Sequence, residues 1–364
     1  MPERLLFTAA ATFESARRIS LLPDGHRAQR LHGHGFVAAV RAAIAPGWAS
    51  FRGGEVDRLR EHLERCVEPL DYHLLNEQLD QPTDENLARW IKARLDVPGV
   101  EQVSIRSSPR AGALLRGNER AALWRRYRFE AAHRLPNVAP GHKCGRMHGH
   151  GFEVALHMER ALGSRDPGLD ADELDRRWLP LHAEFHHACL NELPGFENPT
   201  SEVIASTIWH RLKRSLPALS SVTVYETATC GAHFDGQRYR IWTEFPLDSA
   251  LRLKHAPEGD SRRRIHGHTY GLRLHLTALL DQVLGWTIDF GDVRQIFEPV
   301  FLRLDHRPLH EVPGIDDSDA AGVVRWIRAQ VAGDLPHLDR VDLYETPGCG
   351  AILAWGAEEP APAI

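Results

Sequence analysis

The 364 residues, 43% hydrophobic and 26% charged, have the make-up of an ordinary globular protein with room for two or three domains, which excludes a disordered or fibrous chain. A formal charge of -5 excludes general attraction to nucleic acid or to an anionic membrane, so neither partner is expected. Five cysteines without a CxxC pair exclude a disulfide scaffold, MPERLLFTAA is too short an apolar run for a secretory signal, and no stretch approaches the ~20 apolar residues of a membrane span, so the cytoplasm is the expected compartment.

Three copies of one unit follow one another. The first carries His32-Gly33-His34, then Leu70-Asp71-Tyr72-His73-Leu74-Leu75-Asn76, a helix opening at Gln81-Pro82-Thr83-Asp84-Glu85, and an alternating strand and turn, VSIRSSPRAGA, from Val103. The second repeats the order with His148-Gly149-His150, Phe185-His186-His187-Ala188-Cys189-Leu190-Asn191 and VTVYETATCGA from Val222. In it Leu174, Trp178, Leu181 and Phe185 form the apolar stripe of one helix. A second helix opens at Asn198-Pro199-Thr200-Ser201-Glu202, with Thr200 as cap, Glu202 in the first turn, and Val203, Ile204, Ile208 and Leu212 on its buried side. The third unit carries His266-Gly267-His268, Leu304-Asp305-His306-Arg307-Pro308-Leu309-His310 and VDLYETPGCGA from Val341.

Each unit therefore predicts strand, strand, helix, helix, strand, strand, an α+β arrangement, over residues 1–120, 121–244 and 245–364. A four-stranded antiparallel sheet leaves two edges open. Three such sheets joined edge to edge would close a twelve-stranded antiparallel barrel with the helices outside, which removes those edges.

Phe129 to Val154, FEAAHRLPNVAPGHKCGRMHGHGFEV, holds the densest chemistry. His148 and His150 point to one face of a strand, and a hairpin through Pro136, Asn137, Pro140 and Gly141 would bring His133 beside them. Three imidazoles without a fourth protein ligand is the pattern of a catalytic zinc site, open to water or substrate. Cys144, between Lys143 and Arg146, is placed for a lowered thiol pKa, against the alternative of an inert buried thiol.

Phe129 to Pro136 and Gly141 to His150, with the spacing CxxxHGH, resemble the metal motif of the tunnel-fold pterin enzymes, the family of 6-pyruvoyl-tetrahydropterin synthase and 6-carboxytetrahydropterin synthase. The resemblance covers all three units and is closest in the middle one. It implies zinc on His133, His148 and His150, an acid/base thiol at Cys144, an Asp-His pair intact at Asp305-His306, and a pterin-anchoring carboxylate at Glu226 or Glu345, with Ser107 in the first copy. Arg17 and Leu251 stand where His133 does, and Ala28 and Arg262 where Cys144 does, so one pooled site per chain is expected. The implied substrate is 7,8-dihydroneopterin triphosphate, converted to 6-carboxy-5,6,7,8-tetrahydropterin with loss of triphosphate and acetaldehyde, as in queuosine and 7-deazaguanine synthesis. Two chains are expected to stack face to face. Two other readings stay open: a 6-pyruvoyl-tetrahydropterin synthase activity, and a pterin-binding protein without turnover, the latter motivated by the degenerate units and by His186 in place of the expected Asp.

Overall fold

The computed structural model describes residues 3–22, 24–117, 120–161, 171–279 and 290–356. The first unit comprises β1 (Arg4–Arg17), β2 (His32–Ala42), α1 (Glu55–Val67), α2 (Asp84–Arg94), β3 (Val100–Ser108) and β4 (Ala111–Arg116). The second comprises β5 (Arg120–His133), β6 (His148–Ala161), α3 (Ala171–Phe185), the two-residue β7 (Ala188–Cys189), α4 (Ser201–Lys213), β8 (Leu219–Thr227) and β9 (Cys230–Phe234). The third comprises β10 (Tyr239–Leu251), β11 (His266–Ala278), α5 (Phe290–Phe301), α6 (Ala320–Val331), β12 (Leu338–Thr346) and β13 (Cys349–Ala354). No described helix is long and apolar enough to cross a membrane.

Local sequence accounts for these elements. The stripe Leu174, Trp178, Leu181 and Phe185 is buried along α3, and Ile204, Ile208 and Leu212 are buried along α4. The Thr200 side chain accepts a hydrogen bond from the Val203 amide and so caps α4, as Thr83 caps α2 and Asp319 caps α6.

Within each unit the strands pair as a four-stranded antiparallel sheet, and β7 adds a short parallel pairing to β5. The units then join edge to edge. Ala111–Leu115 of β4 lie opposite Arg125–Ala121 of β5, Cys230–Phe234 of β9 opposite Thr243–Tyr239 of β10, and Gly350–Ala354 of β13 opposite Thr8–Arg4 of β1. Twelve strands close a barrel, and six described helices pack against it, so no unit keeps an open edge. Asp235 turns the chain between β9 and β10 by accepting the Gln237 and Arg238 amides at 2.8 Å. In consequence β10 runs unbroken through residues 244–245, where a unit boundary was expected, because Ile241, Phe245 and Leu247 lie on one strand face against one core.

The strand faces opposite the apolar core carry paired charges, among them the buried Arg340 with Asp342 at 2.6 Å and the half-buried Arg273 with Glu244 at 2.6 Å. The feature that places the chemistry is strand length. β1 pairs with β13 only through Thr8, yet it pairs with β2 as far as Arg17 opposite His32. The β1–β2, β5–β6 and β10–β11 hairpins therefore overhang the same end of the barrel, and each HGH sits where its overhang begins to return.

Candidate metal centre

The middle overhang gathers three imidazoles. Strand pairing sets His133 directly opposite His148, and the period of two puts His150 on the same face. Ring centroids lie 4.5 Å apart for His133 and His148, 5.2 Å for His133 and His150, and 5.0 Å for His148 and His150. A Cβ at Gly149 would stand 3.3 Å from the Ala131 carbonyl oxygen, so glycine lets the two strands close tightly there.

Backbone carbonyls fix the ring orientations. His133 Nδ1 donates to Pro199 O at 2.9 Å and His148 Nδ1 to Arg146 O at 2.8 Å, which turns both Nε2 atoms inward. Nε2 of His133 and of His150 are buried without a hydrogen-bond partner among the described residues, an arrangement that costs free energy unless something occupies the space between them. Burial lowers the pKa of both residues, with the Glu226 carboxylate opposing, so the rings are held in the neutral form that ligates metal.

A carboxylate completes the cluster. Glu226 Oε1 lies 3.4 Å from His150 Nε2, and the four candidate ligand atoms of His133, His148, His150 and Glu226 all lie within 4.8 Å of one another. Three imidazoles and a carboxylate form a donor set suited to zinc, so the residues present fit the metal. Sequence reasoning took the three imidazoles as the whole protein contribution. Glu226 comes close because β6 and β8 pair with Glu153 opposite Tyr225, a register that no local pattern reveals. Ser201 was missed as well: its hydroxyl donates to Glu226 Oε2 at 2.7 Å from the first turn of α4. The recurrence of a polar residue after the capping threonine, Asp84 in the first unit, was the available signal.

The remaining candidates lie at differing removes. Cys144 is half-buried in a single 3-10 turn, Lys143–Gly145, whose amide at Cys144 donates to His142 Nδ1 and whose carbonyl at Cys144 accepts from Leu135; its thiol is not among the four clustered ligand atoms. Asp305 and His306 form an ion pair at 2.8 Å on a turn after α5, and the hydrogen bond that His306 Nδ1 donates to Asp305, with the charge of that carboxylate, raises the His306 pKa. That pair is tied to its own unit: Asp305 Oδ1 accepts the Asp248 amide at 3.1 Å, the His306 amide donates to Asp248 O at 2.7 Å, and the His306 side chain is 77% exposed.

The same turn recurs in every unit. Tyr72, His187 and His306 share a left-handed backbone with φ of 55°, 64° and 54°, which costs ~1–2 kcal/mol at a residue with a Cβ. Each donates its amide to a strand carbonyl, Glu14, Glu130 or Asp248. His186 keeps the structural task of the missing Asp, since its Nδ1 accepts the Glu130 amide at 3.1 Å as Asp71 accepts that of Glu14.

The flanking units carry other residues and contacts at these positions. In the first, Arg17 Nη1 donates to Pro82 O at 2.9 Å, the counterpart of the His133–Pro199 bond, and to Asp84 at 2.6 Å, while Ser107 donates to the other Asp84 oxygen at 2.6 Å. In the third, Leu251 is buried where His133 stands, and Glu345 is pushed up to about 8 by burial and by the carboxylates of Asp57 and Asp319.

Comparison with known proteins accords with this architecture. The family model described as 6-pyruvoyl tetrahydropterin synthase matches residues 7–118, 122–237 and 240–354. The 6-carboxy-5,6,7,8-tetrahydropterin synthase of Synechocystis sp. is 37% identical over 124 residues, covering 32% of this chain and 94% of that protein. A dihydroneopterin monophosphate aldolase of Pyrococcus furiosus is 27% identical over 104 residues, covering 28% and 88%. The solved 6-pyruvoyl tetrahydropterin synthase of Caenorhabditis elegans overlaps 30% of this chain and 90% of its own, with 23% identity and a TM-score of 0.28.

Proposed function

The chain belongs to the 6-pyruvoyl tetrahydropterin synthase family, and on that premise we propose that it is a zinc-dependent lyase that converts 7,8-dihydroneopterin triphosphate to 6-carboxy-5,6,7,8-tetrahydropterin, releasing triphosphate and acetaldehyde, in queuosine and 7-deazaguanine synthesis. The observation that carries this reading is the middle unit's cluster of buried His133 with half-buried His148 and His150, in which two Nε2 atoms without a hydrogen-bond partner among the described residues lie beside Glu226. Zinc held by the three imidazoles would supply Lewis acidity to the hydroxyl oxygens of the substrate side chain.

The rest of the reading concerns this chain's own groups. Cys144 takes and returns protons at the carbons beside those oxygens, and His306, oriented by Asp305, is its acid/base partner. Glu226 accepts the two parallel N–H groups of the aminopyrimidine edge, with Ser201 holding its second oxygen. Glu345 is the corresponding carboxylate of the third unit, where no imidazole stands at position 251.

Two observations favour a pair of chains stacked at the site-bearing end. Leu31, Met147 and Ile265, each the residue before an HGH, are 66%, 53% and 68% exposed, a repeated apolar rim. His306 is solvent-facing, and the facing chain's middle unit is a second place, besides its own, that it could serve.

The test is one assay: zinc-loaded protein with dihydroneopterin triphosphate, products identified by mass. Acetaldehyde with the carboxylated pterin supports the proposal. A product that retains the carbon skeleton would favour 6-pyruvoyl-tetrahydropterin synthase activity, and tight binding without product would favour a pterin-binding protein.

A further inference from the structure

The first unit keeps His32 and His34 but carries Arg17 in place of the third imidazole, and these residues line a cavity. About 750 Å³ in volume, it opens between the loop after β1, the β3–β4 hairpin, and β5 and α3 of the second unit. That is the size of a small-molecule site. Five arginines line it against three carboxylates. One of those carboxylates, Asp84, is already neutralised by Arg17 and held by Ser107.

Arg17 is the central feature. It is 5% exposed, it occupies the position that His133 holds in the middle unit, and its Nε–H is buried without a partner among the described residues. A fixed guanidinium thus stands where the middle unit carries the imidazole of His133. Ser107 stands where the middle unit carries Glu226, and the carboxylate of this unit has moved to Asp84, where Arg17 and Ser107 both hold it. At the mouth, Arg30 and Arg110 are exposed, and Leu123 of the second unit supplies an apolar wall. The imidazole of His34 is lowered to about 4 by burial and by Arg17, so it is a neutral hydrogen-bonding group there.

We propose that the cavity of the first unit is a metal-free binding site for a small molecule bearing an oxyanion, a phosphate or a carboxylate, which sits against Arg17 and is drawn in by Arg30 and Arg110. Guanidinium groups match the geometry of such oxyanions, and the apolar wall at Leu123 suits the body that carries them. The proposal is independent of the chemistry at the middle unit.

Titration calorimetry on the full-length, zinc-loaded chain tests it, with inorganic triphosphate and benzoate as separate probes. Two variants are compared with the parent. Arg30→Glu with Arg110→Glu reverses exposed charges only. Arg17→Leu with Asp84→Ala removes both members of the buried pair and installs the residues that the third unit itself carries at Leu251 and Ala320, so no buried charge is left alone. The expected result is one equivalent of probe per chain at this site, weakened at least tenfold in each variant, with zinc content and melting temperature retained. Binding of triphosphate alone identifies a phosphate ligand, and binding of benzoate alone a carboxylate. Unchanged affinity in Arg30→Glu with Arg110→Glu, or no heat from either probe at millimolar concentration, would overturn the proposal. Should the buried double variant fail to fold, the surface variant decides alone.

Discussion

Glu226→Gln separates the two tasks open to that carboxylate. Its side chain is 14% exposed, Oε2 accepts from Ser201 at 2.7 Å, and Oε1 stands 3.4 Å from His150. Glutamine keeps the volume and one acceptor but brings an NH₂ that must face either Ser201 or the incoming aminopyrimidine edge. If Glu226 anchors the pterin, one charge-assisted hydrogen bond is lost and two donors meet, at about 1.5–3 kcal/mol for a bond to a charged group. At 1.4 kcal/mol per decade this is a rise in KM of roughly 10- to 150-fold. Zinc should stay, because three imidazoles remain and loss of a supporting contact lowers metal affinity only about 10- to 100-fold. Steady-state kinetics together with elemental analysis after dialysis read both quantities. A variant that loses its zinc, yet shows an unchanged KM once zinc is resupplied, would refute the anchor assignment and make Glu226 a fourth ligand.

Four further outcomes are expected. Elemental analysis should give one zinc per chain, since Arg17 and Leu251 replace the third imidazole elsewhere; three per chain would contradict the reading of the flanking units. Cys144→Ala should keep zinc and lose turnover, and full activity in that variant would return Cys144 to an inert thiol. Asp305→Ala or His306→Ala should lower turnover by a factor of order 10² with zinc and fold intact, whereas Asp71→Ala should matter little; mixing Asp305→Ala chains with Cys144→Ala chains tells whether sites form within one chain or between stacked chains, since only the latter arrangement restores activity. Glu345 has its folded pKa raised to about 8 from an ordinary 4.5, so the native state binds the extra proton and stability falls as pH rises between those values. Glu345→Gln should therefore melt above the parent by a margin that widens from pH 5 to pH 8, and a margin that stays flat would place Glu345 in water.

The fold was legible because its determinants repeat. Three HGH motifs, two matching helix openings and three alternating late strands sit at matching positions, and closure followed from the two edges that each sheet would otherwise expose. The three histidines were legible for a related reason: His148 and His150 are spaced by the strand period, and a single hairpin returns His133. What stayed hidden depends on contacts far apart in sequence. Arg17 meets Asp84 across 67 positions and Asp84 meets Ser107 across 23, so the substitution was visible but the buried pair that replaces the imidazole was not. Likewise His186 reads as a damaged catalytic Asp until the Glu130 amide is seen donating to its ring. That contact changes the argument about the middle unit. The residue at this position has a structural task, holding the turn against the strand, that Asp71, His186 and Asp305 are each placed to serve, and only the residue after it is turned outward with a left-handed backbone. Divergence at position 186 therefore says little about loss of catalysis. The discriminating position is the outward one, where the units carry Tyr72, His187 and His306: Asp71 has no imidazole after it, His187 follows a histidine, and His306 is paired with Asp305, which holds a proton on its ring.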